Sequence, residues 1–249
     1  MEKNELTSRG HWDRVWGGLR SPTIPSCMKA GRRNFRRLLR SRVRRGDRFL
    51  EIGCAPGKEL AWVAKVLGAR VSGIDYSRVG IERSRELFQN LGIDADLRCE
   101  DVLATSFQEE SFDVVYSAGV VEHLQSPSSL IRVHVNLVRP GGIALITIPN
   151  YRGLPGRIVR YFRPDVAESH NLDIMDLVAL RRLAPLDLVE RVDTFGFGHA
   201  TPENIWFENR WPWIISKGTR FVLNAIGLMQ PCDISFCCPM LVLELTRNR

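Results

Sequence analysis

The stretch that decides the fold of this chain is Phe49-Leu50-Glu51-Ile52-Gly53-Cys54-Ala55-Pro56-Gly57. An apolar run with one carboxylate enters a turn of small residues and leaves as the helical pattern Lys58-Glu-Leu-Ala-Trp-Val-Ala64. In an open α/β sheet, such a turn lies at the carboxyl end of a strand, where ligands bind. Glycine lets the backbone approach a ligand closely, and the first N–H groups of the helix face the same space. The sequence therefore predicts a ligand site at this turn.

The glycine spacing argues against a dinucleotide at this site. A dinucleotide fingerprint reads Gly-x-Gly-x-x-Gly, whereas this turn has only Gly53 and Gly57. Glu51, just before the turn, would repel a phosphate but could hold an ammonium group. A nicotinamide oxidoreductase is therefore the last of the candidate functions.

Two further predicted strands also end in carboxylates. The run Arg70-Val-Ser-Gly-Ile74 ends in Asp75, where an acidic side chain can accept both hydroxyls of a ribose. A third run ends near Asp101 and Val102, which suit the exocyclic amine and the ring of an adenine. An ammonium-binding turn, a ribose carboxylate and an adenine pocket together describe S-adenosylmethionine.

Six motifs in order make the sequence resemble the class I S-adenosylmethionine-dependent methyltransferases, in their small-molecule branch. They are Glu51-Ile-Gly-Cys-Ala-Pro-Gly57, Gly73-Ile-Asp-Tyr-Ser77, Glu100-Asp-Val102, Phe112-Asp-Val-Val-Tyr-Ser117, Val121-Glu-His-Leu124 and Leu137-Val-Arg-Pro-Gly-Gly142. The resemblance covers residues 47–149, and Ala55 stands where the family more often has glycine. It implies an α/β, Rossmann-like fold with a seven-stranded, mostly parallel sheet, helices on both faces and an antiparallel last strand. The cofactor contacts that it implies are Glu51, Gly53, Cys54, Gly57, Asp75, Tyr76, Asp101, Val102 and Ser117.

The element pattern agrees with that fold, because strands alternate with helices along the chain. Strands are expected near residues 48–53, 70–74, 95–99, 112–116, 142–148, 186–192 and 239–245. Helices are expected near residues 57–68, 77–91 and 127–138, and from Asp173 to Ala184. Pro140-Gly141-Gly142 is expected to form a turn.

His123 is the candidate catalytic base. It follows the predicted fourth strand, whose end faces the transferable methyl group in this fold, and histidine titrates near neutral pH. The alternative is that Glu122 and His123 form a structural turn. The motif is also similar to that of ubiquinone-pathway methyltransferases, which have a related Glu-His pair and bind a divalent metal. The extra carboxylate of such sites is missing here, since Ala118-Gly119 precede Val120-Val121, so we expect no metal.

The expected acceptor is a small molecule, methylated on oxygen or nitrogen. Enzymes that methylate exocyclic amino groups of bases carry Asn/Asp-Pro-Pro-Tyr/Phe where this chain has Tyr116-Ser-Ala-Gly119. The resemblance points instead to quinones, sugars or natural products. Trp12, Tyr151 and His170 are candidate acceptor contacts. Residues 203–230 are apolar and aromatic, which is compatible with a hydrophobic acceptor or a homodimer contact, although such a stretch is more often part of the core or a lid.

Positive charge is concentrated in one segment. The 249 residues include 35 Lys and Arg against 28 Asp and Glu. Residues 32–45 hold the arginines Arg32, Arg33, Arg36, Arg37, Arg40, Arg42, Arg44 and Arg45. Apolar residues between them predict an amphipathic helix with a solvated face. The alternatives are an RNA methyltransferase that uses this helix and a non-catalytic, cofactor-binding scaffold. The remainder of the chain is close to neutral, which disfavours a general nucleic-acid partner.

Two parts are expected in the chain. Residues 1–45 would form an N-terminal helical segment or flap, and residues 46–249 the methyltransferase domain, with lid elements at 150–184 and 203–230. The first twenty residues are polar and charged, and no apolar run reaches bilayer length. Six cysteines without zinc-site spacing are typical of reduced thiols. The sequence thus predicts a cytoplasmic protein without a transmembrane segment.

Overall fold

The computed structural model describes residues 5–18, 30–198 and 237–249, and its centre is one twisted sheet. The seven strands are β1 (Arg48–Ile52), β2 (Arg70–Asp75), β3 (Asp96–Cys99), β4 (Phe112–Ala118), β5 (Val138–Pro149), β6 (Val189–Phe197) and β7 (Met240–Arg247). They lie in the order β3-β2-β1-β4-β5-β7-β6. Strands β1 to β5 run parallel to one another, and β7 is antiparallel to both β5 and β6. The predicted fold class is confirmed.

Helices cover both faces of the sheet. They are α1 (Arg9–Gly17), α2 (Ala30–Arg40), α3 (Lys58–Trp62), α4 (Arg78–Leu91), α5 (Ser128–Leu137), α6 (Leu154–Phe162), α7 (Asp165–Glu168) and α8 (Leu177–Arg182). Buried Leu39, Leu60 and Ile81 join α2, α3 and α4 to one face. Ile131 and Leu180 join α5 and α8 to the other. A parallel sheet that is buried on both faces has continuous apolar strands, which is why the runs were recognisable in the sequence.

Several element boundaries differ from the expected ones. The helix after Gly57 is α-helical only to Trp62 and continues as the π-helical turn Val63–Leu67. Asp176, rather than Asp173, caps α8, because its carboxylate accepts the N–H groups of Val178 and Ala179 at 2.9 and 2.8 Å. Residues 140–142 lie within β5 instead of forming a turn, and β6 begins at Val189.

Of the two expected lid elements, only the one at residues 150–184 lies within the described part of the chain. Residues 150–171 contain the helices α6 and α7, which follow the carboxyl end of β5. The stretch 203–230 lies outside the described residues. Among the helices that the structure describes, none is both long enough and apolar enough to cross a membrane.

Candidate active site

A cavity of about 270 Å³ opens at the carboxyl ends of β1, β2 and β4. Its wall carries the four carboxylates Glu5, Asp75, Glu100 and Asp101. Apolar side chains, Ile52, Val102, Val120 and Leu124 among them, line the rest. No lysine or arginine is among the described residues of the wall. An acidic cavity with apolar walls suits a cation that also carries an aromatic ring.

The turn between β1 and α3 is held by β2. The N–H groups of Gly53 and Cys54 both donate to the Ile74 carbonyl, at 2.8 and 3.1 Å. Gly53 has φ +73°, and a Cβ there would lie 2.5 Å from a methyl carbon of Val120. Gly53 lines the cavity, and its missing side chain makes room for Val120 at the same wall.

Gly57 serves helix packing rather than the cavity wall. It has φ +81° and is the N-cap of α3. A Cβ on Gly57 would lie 3.1 Å from the Cβ of Ser84 on α4. Gly57 is not part of the described wall, so its predicted contact with the cofactor stays a prediction.

Glu51 is not part of the described cavity wall. It shares a face of β1 with Phe49, whereas Leu50 and Ile52 belong to the other face and Ile52 lines the cavity. The backbone N–H of Leu60 bonds to the Glu51 carboxyl, and burial beside Glu59 and Asp75 raises its pKa well above the usual value. Gly57 offers no side-chain cap to α3, so Glu51 acts as the cap. This placement favours a structural role for Glu51 over the predicted direct contact with an ammonium group.

Two more predicted cofactor contacts point into the core. Cys54 is buried among the residues that pack α3 and α4 on the sheet. Ser117 is fully buried, and its hydroxyl donates at 2.9 Å to Nε2 of His134 on α5. The His134 ring is a donor at Nδ1, because the group it bonds there is the Leu130 carbonyl at 2.8 Å. Neither Cys54 nor Ser117 belongs to the described wall.

Asp75 lies in the cavity wall with its orientation fixed by backbone donors. Its carboxylate accepts the N–H of Ser77 at 2.8 Å and the N–H of Ala55 at 3.1 Å. Burial raises the pKa of Asp75, although these two hydrogen bonds oppose the shift. Each carboxylate oxygen keeps a second acceptor position, as binding two neighbouring hydroxyls requires.

The remaining predicted cofactor contacts also lie in the wall. Tyr76 follows Asp75, and burial raises the pKa of its hydroxyl to about 12. Asp101 caps a short 3-10 helix by accepting the Leu103 N–H at 2.9 Å, and Val102 lies beside it. The wall therefore brings together Gly53, Asp75, Tyr76, Asp101 and Val102.

The N-terminal segment completes the cavity. Trp12 and Trp16 of α1 stack with ring centroids 5.6 Å apart, and both line the wall. Asp13, between them, accepts the Ser77 hydroxyl at 2.5 Å and so fixes α1 to the start of α4. Sequence reasoning missed Asp13, and also Glu5 and Thr7 in the wall. The sequence signal that could have indicated Asp13 is its place between Trp12 and Trp16, which lie one helical turn apart.

Aromatic side chains surround His123 at the other end of the wall. The ring centroids of Trp12 and His170 lie 5.2 and 4.5 Å from that of His123, and Tyr151 lies 5.0 Å from His170. Nδ1 of His123 lies 2.7 Å from the Ser169 carbonyl, so that nitrogen is the donor. Burial lowers the pKa of His123 to about 4, which makes it a weak base at neutral pH.

Glu122 is the unexpected member of this group. Its side chain is 1% exposed, and its Oε2 atom has no hydrogen-bond partner among the described residues. Burial raises the pKa of this carboxyl to about 8. One ligand atom from each of Glu122, His123 and His170 lies within 4.8 Å of the other two.

The wall fits S-adenosylmethionine better than a dinucleotide. Four carboxylates without a described lysine or arginine would repel a pyrophosphate and attract a sulfonium and an ammonium group. Asp75 could hold the ribose, while Asp101 and Val102 could hold the adenine.

Comparison with known proteins agrees with this chemistry. Residues 50–146 match the family described as "Methyltransferase domain". Methyltransferase GfsG of Streptomyces halstedii is 28% identical over 202 residues, which are 77% of this chain and 72% of that protein. The ubiquinone biosynthesis O-methyltransferase of Chelativorans sp. is 34% identical over 105 residues, 42% of this chain and 41% of that protein.

This chain thus contains a methyltransferase domain over residues 50–146, with motifs that resemble those of the class I S-adenosylmethionine-dependent enzymes. Its fold is similar to that of phosphoethanolamine N-methyltransferase 2 of Haemonchus contortus, solved with phosphomonomethylethanolamine and S-adenosylhomocysteine. The TM-score is 0.63 at 18% identity, over 96% of this chain and 57% of that one. The methyltransferase thus spans less than half of the ubiquinone enzyme it matches and just over half of the nematode enzyme.

Proposed function

We propose that this methyltransferase transfers a methyl group to a hydroxyl of a small, uncharged acceptor of the quinone, sugar or natural-product type. The observation that carries this proposal is the cavity at the carboxyl edge of the sheet, whose wall is acidic and apolar. S-adenosylmethionine, when bound, supplies a methyl group on a positively charged sulfur, so the protein contributes mainly alignment.

The covering of the cavity supports a small acceptor. Helix α1 lies over the cavity, held by the Asp13 contact with Ser77, and Trp12 and Trp16 form part of the wall. A nucleic-acid strand or a folded protein would need a groove that continues beyond this helix. An acceptor that carries a phosphate would face carboxylates, with no described cation in the wall to balance it.

The names of similar proteins support the same acceptor class. Ubiquinone biosynthesis O-methyltransferases and a 2-methyl-6-phytyl-1,4-hydroquinone methyltransferase of Synechocystis are similar to this chain, the latter at 32% identity over 107 residues. The first name refers to ubiquinone biosynthesis and the second to a hydroquinone. We place the acceptor beside His123, Tyr151 and His170, where the rings offer an apolar surface.

In this proposal Asp75 holds the ribose, Asp101 and Val102 hold the adenine, and α1 excludes water from the reacting atoms. His123 contacts the acceptor. The predicted roles of Glu51, Cys54, Gly57 and Ser117 become indirect, because these residues shape the turn and the adjoining strand behind the wall.

The first prediction concerns cofactor binding. Replacing Asp75 by asparagine or alanine removes the charge that accepts the ribose hydroxyls, so affinity for S-adenosylmethionine should fall by about tenfold or more. Isothermal titration calorimetry measures this directly. Asp94→Ala removes an exposed carboxylate from the loop before β3 and should bind as the wild type does. Equal affinity for all three variants and the wild type would refute the proposed site.

A second experiment tests the acceptor class. The wild-type chain, incubated with methyl-labelled cofactor and a panel of hydroquinones, sugars and phenolic compounds, should label a hydroxyl in at least one of them. Mass spectrometry identifies the product. Labelling of RNA or protein alone would contradict the proposal.

A further inference from the structure

We infer that Glu122, His123 and His170 form a binding site for one divalent transition-metal ion at the acceptor end of the cavity. The binding of the ion does not depend on the proposed function, whereas the role that we give to the ion rests on that function. From the sequence we expected no metal, because the extra carboxylate of such sites is missing before Glu122. The structure supplies a different third ligand, His170, from the segment after β5.

Both imidazoles are oriented as metal ligands usually are. Nδ1 of His123 donates to the Ser169 carbonyl at 2.7 Å, and Nδ1 of His170 lies 2.6 Å from the Val166 carbonyl. A carbonyl can only accept, so both Nδ1 atoms carry the proton and both Nε2 atoms keep their lone pairs. A histidine that ligates a metal almost always donates its other N–H to such a group.

Glu122 supplies the negative charge. Its carboxyl is buried, with Oε2 unpartnered among the described residues. An unsatisfied buried carboxyl is costly and calls for a physical explanation. A cation bound by the three side chains would satisfy this oxygen.

The backbone holds the two contributing segments together. The Asn171 N–H donates to the Glu122 carbonyl at 2.7 Å, and the Asn171 side-chain amide donates to the carbonyls of Leu124 and Gln125 at 3.0 and 2.9 Å. These three bonds fix His170 beside Glu122 and His123. Ligand atoms of one ion lie about 3–4 Å apart. The three ligand atoms lie within 4.8 Å of one another, so side-chain movements of about an ångström would bring them to that distance.

The two imidazoles and one carboxylate indicate which ions the site would prefer. Imidazole suits Zn²⁺, Fe²⁺ and Ni²⁺, whereas Mg²⁺ prefers oxygen ligands. Three protein ligands also leave at least one coordination position open, as in catalytic rather than structural zinc sites. His123 lines the cavity wall, so an ion bound to it would lie beside the cavity.

The ion has a chemical use at that position. A divalent cation lowers the pKa of a hydroxyl that it binds. The hydroxyl proton then leaves to bulk water, and the acceptor oxygen forms a bond to the methyl carbon. The bond between carbon and sulfur breaks at the same time, with its electron pair remaining on sulfur. In this arrangement His123 is a ligand, not the base that the sequence analysis predicted.

The test measures metal binding without turnover. The full chain, stripped with a chelator, is titrated with Zn²⁺ and with Mg²⁺, and Co²⁺ provides an absorption spectrum. We expect one equivalent of Zn²⁺, little response to Mg²⁺, and a Co²⁺ spectrum typical of mixed nitrogen and oxygen ligands. Glu122→Gln and His170→Gln should each weaken Zn²⁺ binding by about tenfold or more. His11→Gln, which removes an exposed imidazole from α1, is the matched control.

Circular dichroism and S-adenosylmethionine binding show whether each variant is folded. Zn²⁺ binding that is absent in the stripped wild type, or that survives unchanged in both Glu122→Gln and His170→Gln, overturns the inference. Loss of cofactor binding in the wild type would instead refute the proposed function and leave the metal result standing. Full methyl transfer in the presence of the chelator would rule out the role given to the ion.

Discussion

At the scale of single residues, Ala55 and Gly80 depend on each other. Ala55 stands in the cavity wall, in the turn between β1 and α3. A Cβ on Gly80 would lie 2.6 Å from the Cβ of Ala55 and 2.7 Å from Cδ1 of Trp16. The glycine in α4 therefore makes room for both the extra methyl group in the turn and the tryptophan of α1.

This contact predicts the outcome of two substitutions. Gly80→Ala should lower the free energy of unfolding by about 1–3 kcal/mol, because overpacking outweighs the better helix propensity of alanine. Adding Ala55→Gly removes one of the two clashes and should restore part of the loss. Urea denaturation of the two single variants and the double variant measures the coupling. Strictly additive effects would show that the two residues are not in contact.

The residue scale also shows where sequence reasoning about the site stopped. Asp75 was predicted because the carboxyl ends of parallel strands meet at one edge. Ser117 and Glu51 are not part of the described wall, since each is bonded to a helix that packs on its own face of the sheet. A motif fixes a residue on its strand, but the helices packed on each face decide what that residue contacts. His134 on α5 binds Ser117, and α3 binds Glu51.

At the scale of elements, the basic helix α2 is packed more tightly than a solvated binding surface would be. The guanidinium carbons of Arg36 and Arg40 lie 5.0 and 5.4 Å from the ring centroid of Trp62. Arg36 is buried and forms an ion pair with Glu59 at 3.5 Å. Beyond the helix, Arg42 binds both carboxylate oxygens of Glu244. Much of the positive charge thus attaches α2 to the sheet.

Arg36 should therefore matter for stability rather than for nucleic acid. Arg36→Ala removes a buried cation from a ring and a carboxylate, so we expect a loss of about 2–3 kcal/mol in the free energy of unfolding. Arg33→Ala, at an exposed position of the same helix, should change it by less than about 0.5 kcal/mol. Denaturant titration measures both. A steep salt dependence of RNA affinity that both variants weaken would favour the RNA alternative instead.

Elements of the core were predictable and those around the site were less so. Strands β1, β4 and β5 are rich in buried apolar residues, as a parallel sheet covered on both faces requires. The contribution of α1 depends on long-range contacts, such as that between Asp13 and Ser77, which no local pattern encodes. The pairing of His123 with His170 has the same origin, since it depends on Asn171 joining two segments that are distant in sequence.

At the scale of the whole molecule, buried His134 links stability to pH. Burial on α5 lowers its pKa to about 4, from about 6.5 in an unfolded chain. Between these values the unfolded chain binds a proton that the folded chain does not, so the free energy of unfolding decreases as the pH falls. The full loss would be about 3 kcal/mol, and it would be complete near pH 4.

The test compares slopes, because other groups also titrate in this range. The wild type should lose about 2 kcal/mol more than His134→Gln between pH 7.5 and pH 5.0, since glutamine has no proton to gain. His134→Gln should be less stable at pH 7.5, where it no longer accepts the Ser117 hydroxyl in the same geometry. Equal slopes for the wild type and His134→Gln would mean that His134 is accessible to protons in the folded protein, and the packing of α5 against β4 would have to be looser than the structure has it.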